Sequence, residues 1–509
     1  MKKSISLLSI IILTLIVTGI ISCGKNKKSE IKNITQVFLS DTSSFFYLDT
    51  ENYPQNNPTM PIGIFDSGTG GLAVLEVILT LDKFDNRSHI PLPGGDGYRD
   101  FQEECFIFLA DQANMPYGNY SREGKVDLLK EHILKDAQFL LGNKYYLSSS
   151  SVQPQTDKDP VKVMVIACNT ATAIGKTDIE NFVEQAHLDL NVIGIIDAGA
   201  KAALDQFQKD EDGTIAVMAT AGTVSSGGYV RTIQQLQKSL GYKGDIKVFQ
   251  QAGVGLAGAI DGVSEFIDPG TIMPRKGYQG PSDKHPELAI DLTKLPRYGF
   301  DWTYNHMLFE GDTASPRNLQ LNSVENYISY HLITLLENIR NTPDAKKLKA
   351  VLLACTHYPF YTDFFQKKLE WLRNFQENGI YIYQPFLAES VEFIDPSEGM
   401  AIELYQFLKQ RDLFNTSDLS RSEFYISIPN TLNNEVQTDG TGNFSYEYKY
   451  GRDAGRIQEY VKRVPMNSSN ISVDTRLRLE EKVPTSFQLL REFNRNNQKL
   501  QGLPLEDKF

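Results

Sequence analysis

Two short apolar runs, each ending in a cysteine, constrain this 509-residue chain more than any other feature. In the first, Val163-Met-Val-Ile-Ala leads into Cys168-Asn169-Thr170-Ala-Thr172; in the second, Val351-Leu-Leu-Ala leads into Cys355-Thr356-His357-Tyr358-Pro359. A β-branched or apolar run bounded by polar residues reads as a buried strand. In open α/β sheets the ends of such strands are where ligands bind. Cys168 would also stand at the entrance of a helix, where unpaired N–H groups and the dipole favour a thiolate. Such a position can bring a thiol from ~8.5 to about 3.5–7.5. Either cysteine alone reads as an ordinary buried residue, but two at matching strand ends read as a site. A disulfide between them is an alternative, against which stands the separate polar motif around each. Zinc is a weaker one, because neither run has C-x-x-C spacing and Cys168, Cys355 and His357 make a poor ligand set.

The same strand-then-polar pattern recurs along the chain. Ile62–Phe65, Phe106–Leu109, Lys162–Ala167, Val192–Ile196, Ile215–Ala219 and Ala350–Ala354 read as strands ending at Asp66, Asp111, Cys168, Asp197, Thr220 and Cys355. Leu72–Leu81, Val126–Leu141 and Tyr229–Leu240 between them carry helical spacing. Alternating βα units predict an α/β fold built on parallel sheets. The matching Ala-Cys-Asn-Thr and Ala-Cys-Thr-His ends predict two pseudo-symmetric half-domains with a site in the cleft between them.

These motifs, together with Ile62-Gly-Ile-Phe-Asp66-Ser67-Gly68-Thr69-Gly70-Gly71-Leu72, resemble those of the glutamate racemases, members of the cofactor-independent aspartate/glutamate racemase superfamily. The three occur in family order. The resemblance implies two α/β half-domains, the first at about 60–190 completed by 360–405, the second at about 191–358. It implies Cys168 and Cys355 as proton carriers, assisted by Asp66 and His357, with no cofactor and no metal. It further implies that Ser67, Tyr117, Gly118, Asn169, Thr170, Thr223 and Thr356 hold an acidic amino acid. Two departures stand out. Asp197-Ala198-Gly199 replaces the usual Glu-Pro-Gly, and Asp261, one methylene shorter, replaces a glutamate that assists the second cysteine. The expected activity is interconversion of L- and D-glutamate, linked to peptidoglycan synthesis. Racemisation of aspartate or another acidic amino acid, and a non-catalytic ligand-binding lipoprotein on the same fold, remain alternatives, and a homodimer is an assembly left open.

Outside the resemblance lie both ends and one insertion. Lys2-Lys3, an apolar run from Ile5 to Ile21 and Ile20-Ile21-Ser22-Cys23 resemble a bacterial lipoprotein signal over residues 1–23, ending at a lipobox in which Cys23 is lipidated and becomes the mature N-terminus. An uncleaved anchor is the alternative, and both readings place the body outside the cytoplasm, held at a membrane. Residues 24–59, rich in Lys, Asn and Ser, read as a tether. Residues 86–104 read as a surface loop and 263–321 as a long insertion before a helix that starts near Asn322. Residues 406–509 form an extension of no assigned role, with Phe424–Ile428 and Phe444–Tyr448 read as strands and Val483–Asn494 as a helix. A net charge of −12 argues against a nucleic-acid surface. It also requires any anion site to be built locally from N–H groups and hydroxyls. Cys105 reads as a core residue. If Cys23 is lipidated, Cys23→Ala should move the protein from the detergent-extracted membrane fraction and change its gel mobility; a variant that fractionates and migrates like the parent rules lipidation out.

Overall fold

The computed structural model describes residues 33–509. Two sheets carry the α/β body. The first is built from β1 (Ile62–Asp66), β2 (Phe106–Ala110), β3 (Val163–Ile166), β4 (Asn191–Gly194), and two late strands, β9 (Glu423–Pro429) and β10 (Val461–Pro465). Their order is β10-β9-β2-β1-β3-β4, parallel except for β10 against β9. The second sheet is all parallel, in the order β8-β7-β5-β6, from β5 (Gly213–Ala219), β6 (Ile246–Ala252), β7 (Leu348–Ala354) and β8 (Leu387–Ile394).

Strand alternation sorts the side chains into cores. Ile62, Ile64, Phe106 and Phe108 face one core, while Phe65, Ile107 and Leu109 face another on the opposite side of the first sheet. In the second sheet Ala216, Met218, Val351 and Leu353 join the first of these cores, and Ile215, Val217, Ala350 and Leu352 face a third. One core is therefore continuous through both half-domains. The helices used below are α1 (Ile34–Ser40), α2 (Gly71–Thr80), α3 (Val126–Leu141), α4 (Asn169–Gln185), α5 (Ala221–Ser226), α6 (Val324–Arg340), α7 (Ser397–Arg411), α8 (Val473–Lys482) and α9 (Pro484–Asn496).

Several boundaries differ from the sequence reading. The tether extends no further than residue 32, since α1 buries Val37 and Phe38 and the following loop buries Phe46 and Leu48. Phe38 meets Phe182 at 5.3 Å, and the Tyr53 hydroxyl donates to the Val161 carbonyl at 2.6 Å. The signal and Cys23 lie outside the described residues. The returning segment 360–405 is divided: β8 pairs with β7 in the second sheet, Phe393 opposite Val351, and α7 alone crosses back. There Tyr405 stacks on Phe84 with ring centroids 3.9 Å apart. The insertion 263–321 is folded, with an antiparallel pair Met307–Glu310 and Arg317–Leu321. It docks on α6, where the Tyr327 hydroxyl bonds that of Tyr278 at 2.9 Å. The cap of α6 is Ser323, accepting from Asn326 N at 3.2 Å.

The extension is part of the first half-domain. Phe424 pairs with Phe108 and Ile426 with Ala110, so β9 covers the edge of β2. Phe444–Tyr448 is not a strand: Ser445 caps a short helix over Tyr446–Gly451 by accepting from Tyr448 N. Local capping outweighs the aromatic β-propensity there. Among the described residues no helix is long and apolar enough to cross a membrane. Because β2 is left as a bare edge without β9, a chain ending at residue 410 should be recovered insoluble. Phe424→Ala should cost about 3–5 kcal/mol in urea unfolding; a soluble truncated form with the parent's melting temperature contradicts this account.

Candidate active site

Cys168 and Cys355 stand just beyond β3 and β7, in opposite half-domains. Both are free thiols and 5% exposed. They line one small cavity of about 20 Å³, whose wall also includes Ser67, Tyr117, Gly118, Asn169, Thr170 and Thr356. That volume admits about one water, too little for an amino acid. Close approach across the cleft is why glycine sits at two of its edges. A Cβ at Gly70 would lie 2.8 Å from the His357 ring, and one at Gly118 2.8 Å from Thr220.

Cys168 caps α4, its sulfur accepting from Ala171 N at 3.4 Å. The helix entrance expected from the sequence is present, but the expected lowering of the thiol is not. Burial, followed by the negative charge of Asp66, pushes the Cys168 thiol well above its ordinary range, against the Ala171 N–H and the Ser67 hydroxyl. Removing water from an anion costs more than one long N–H···S contact returns. Asp66 is itself fully buried, accepting from Gly68 N at 3.2 Å and Gly71 N at 2.9 Å. Burial raises its carboxyl, opposed by the charge of His357 and these N–H groups. Thr356 donates to Asp66 from the other half-domain, at 3.3 Å.

Around Cys355 the charge is of the opposite sign. Its sulfur is 3.7 Å from His357 Nδ1, and His357 Nε2 is 3.1 Å from Asp261 Oδ2. Burial works against a charged imidazole, but the Asp261 carboxylate outweighs it and raises His357 well above the usual histidine range. Burial likewise opposes ionisation of Asp261, yet His357 and Arg478 hold its carboxyl below the usual range. Arg478 NH2 lies 2.7 Å from Asp261 Oδ1. Negative charge therefore neighbours Cys168, and a positive imidazolium neighbours Cys355.

The polar residues divide in their placement. Thr170 and Thr220 hydroxyls meet across the cleft at 2.6 Å, with Thr223 at 3.3 Å from Thr170. Asn169 accepts from the Tyr229 hydroxyl, while its buried Nδ2 has no partner. Ser67, Gly118 and Thr356 are where the sequence motifs put them. Tyr117 contributes its turn to the wall, but its hydroxyl lies behind it, 2.6 Å from Asp111 and 2.7 Å from Asp136. Burial, then the charge of Asp111, raises Asp136 to about 8 despite Arg463 at 2.9 Å. Asp197 is not at a strand end: β4 stops at Gly194, and Asp197 is exposed in the first turn of a helix. Tyr229 and Arg478 are site residues that the sequence reading does not contain. Thr220 was legible as a strand end followed by Ala-Gly-Thr; Arg478 had no signal in the sequence.

No protein-family model matches the chain. It is 30% identical over 365 residues to the glutamate racemase of Lactobacillus acidophilus, covering 72% of this chain and 87% of that protein. With the glutamate racemase of Lactobacillus johnsonii it shares 34% identity over 174 residues, 34% of this chain. That match, like the 35% identity with the enzyme of Limosilactobacillus fermentum, spans 48% of the relative, so the chain covers about half the length of these curated relatives. Among solved structures, glutamate racemase isoform RacE1 from Bacillus anthracis overlaps 72% of this chain at 20% identity and a TM-score of 0.41.

If Asp66 holds the Cys168 thiol protonated, Asp66→Asn should raise the iodoacetamide reaction rate of Cys168 about threefold to tenfold near neutral pH, read by peptide mass spectrometry. An unchanged rate would show that the Asp66 charge has no such effect.

Proposed function

The chain belongs to the glutamate racemase family, and from that membership we propose that it interconverts L- and D-glutamate, with Cys168 and Cys355 as its two proton carriers. The observation that carries this reading is the pair of free thiols, one from each half-domain, on the wall of a single water-poor cavity. Inversion at an α-carbon requires a proton to leave one face and another to arrive at the opposite face. A base on one side and an acid on the other suffice.

With Cys355 as thiolate, its sulfur takes the α-proton of L-glutamate and the electron pair remains on the α-carbon. The Cys168 thiol then gives its proton to the other face, leaving D-glutamate, a Cys355 thiol and a Cys168 thiolate; the reverse reaction restores the starting state. The neighbours suit these tasks. The His357 imidazolium, ion-paired with Asp261, accommodates negative charge on Cys355. Asp66 favours the protonated form of Cys168. The unpartnered Nδ2 of Asn169 and the Thr170, Thr220 and Thr223 hydroxyls are the groups to receive the substrate carboxylates. Expulsion of water as the halves close strengthens each of these interactions.

We further propose that the protein works outside the cytoplasm, anchored through Cys23, a reading supported by Lys2-Lys3, the apolar run and Ile20-Ile21-Ser22-Cys23. D-glutamate for peptidoglycan precursors is used in the cytoplasm, so an exported enzyme would act on glutamate outside that route.

Purified protein should change the optical rotation of L-glutamate, and either Cys168→Ser or Cys355→Ser should abolish the change, a serine hydroxyl being a far weaker acid than a thiol. In heavy water Cys168→Ser should still exchange the α-hydrogen of L-glutamate but not of D-glutamate, and Cys355→Ser the reverse. Near-parental racemisation by either single variant, or exchange of both enantiomers by both, contradicts the two-thiol mechanism.

A further inference from the structure

The extension reaches the buried charges of the site through one side chain. Arg478, on α8, places NH2 2.7 Å from Asp261 Oδ1, and its NH1 donates to the Ile260 carbonyl. The other oxygen of the same carboxylate, Oδ2, faces His357 Nε2 at 3.1 Å, and His357 Nδ1 faces the Cys355 sulfur at 3.7 Å. Asp261 is thus shared, one oxygen to a cation of the extension and one to the imidazole beside the thiol. The guanidinium also lies 5.8 Å from the Phe360 ring, which limits its travel.

The rest of the extension is fastened to the first half-domain. The backbone N–H groups of Thr485 and Ser486 donate to Glu76 of α2 at 3.1 and 2.6 Å, and the Ser486 hydroxyl donates to the Leu72 carbonyl at 3.2 Å. Lys449 bonds the Met115 carbonyl at 2.6 Å, and Arg452 the Asn114 side chain at 2.9 Å. Among the hydrogen bonds of the described residues, those of Arg478 are the ones that tie the extension to the second half-domain. Arg478 therefore bridges the two halves at the carboxylate that orients His357. Beside it a groove of about 950 Å³ runs past Thr69, Gln112 and Met115, and Met115 lines both this groove and the small cavity between the cysteines.

We propose that Arg478 is a positioning residue for the Cys355 side of the reaction: when the halves close, it seizes Asp261 and sets His357 against Cys355. This rests on the racemase reading above. A carboxylate one methylene shorter than glutamate reaches less far, and holding its second oxygen fixes which way the first one points. A flexible Lys at this place would keep the charge but lose the planar two-nitrogen grip on Asp261 and the Ile260 carbonyl.

The test compares Arg478→Met and Arg478→Lys in the single-thiol backgrounds. With Cys168→Ser, Arg478→Met should slow α-hydrogen exchange into L-glutamate about tenfold to a hundredfold, the usual effect of releasing a group that orients a reacting one. With Cys355→Ser, exchange into D-glutamate should stay within about twofold, since that half of the site does not depend on Asp261. Arg478→Lys should recover part of the loss. Equal loss on both sides would make Arg478 a mere tie between the halves, and no loss on either would give it no part; both overturn the proposal. A readout without substrate separates this from the racemase reading. The downfield NMR proton of the His357–Asp261 hydrogen bond, identified by its disappearance in His357→Asn, should move or broaden in Arg478→Met. An unmoved resonance overturns the proposal even if neither single-thiol form exchanges glutamate, an outcome that would instead refute the reading of the activity.

Discussion

Exclusion of water between the half-domains is the constraint on which the rest of the site depends. With Asp66 and His357 buried and the Asp261 side chain withdrawn from solvent, each charge is felt strongly by its neighbours and must be answered by a partner. Asp261 is answered twice, by His357 and Arg478; Asp66 is answered by two backbone N–H groups and a threonine hydroxyl from across the cleft. The result is one chemically identical group, a thiol, in two environments of opposite sign. Such asymmetry lets a pair of like residues act as acid and base at one pH.

Much of this was legible in the sequence because it is written in short-range pattern. Strands β1 to β5 and β7 follow from apolar runs with a polar residue at the end, whereas β6, a half-buried edge strand with Lys247, Gln250 and Gln251 in it, was not read as one, and the two cysteines follow from the likeness of the runs that carry them. What escaped was set by long-range contact. Nothing in Val473–Lys482 distinguishes Arg478 from the other charges of an exposed-looking helix; its importance comes from Asp261, far away in the chain. The direction of the Cys168 shift was misjudged for a similar reason, since the helix entrance is visible in the sequence and the depth of burial is not. Asp197 and Phe444–Tyr448 show the limit of propensity: a helix began two residues early in one case, and a serine cap overrode three aromatics in the other.

The extension changes how the two halves are joined. Beneath the Tyr117 turn, Arg463 pairs with Asp136 and Arg452 bonds the Asn114 amide oxygen, so cations from the last hundred residues answer one acid and one amide that the first half-domain buries. A buried carboxylate without such a partner is costly. Asp136 and Arg463 form one buried unit, and the half-domain is not complete without β10.

The place of β9 beside β2 has a further consequence, in time rather than in space. A ribosome releases β1 to β4 long before β9 and β10, and until those arrive the first sheet has an open edge and Asp136 lacks Arg463. Contacts between such distant parts of a chain form late. The first sheet, whose central strands are made earliest, is therefore the last to be completed, after all four strands of the second.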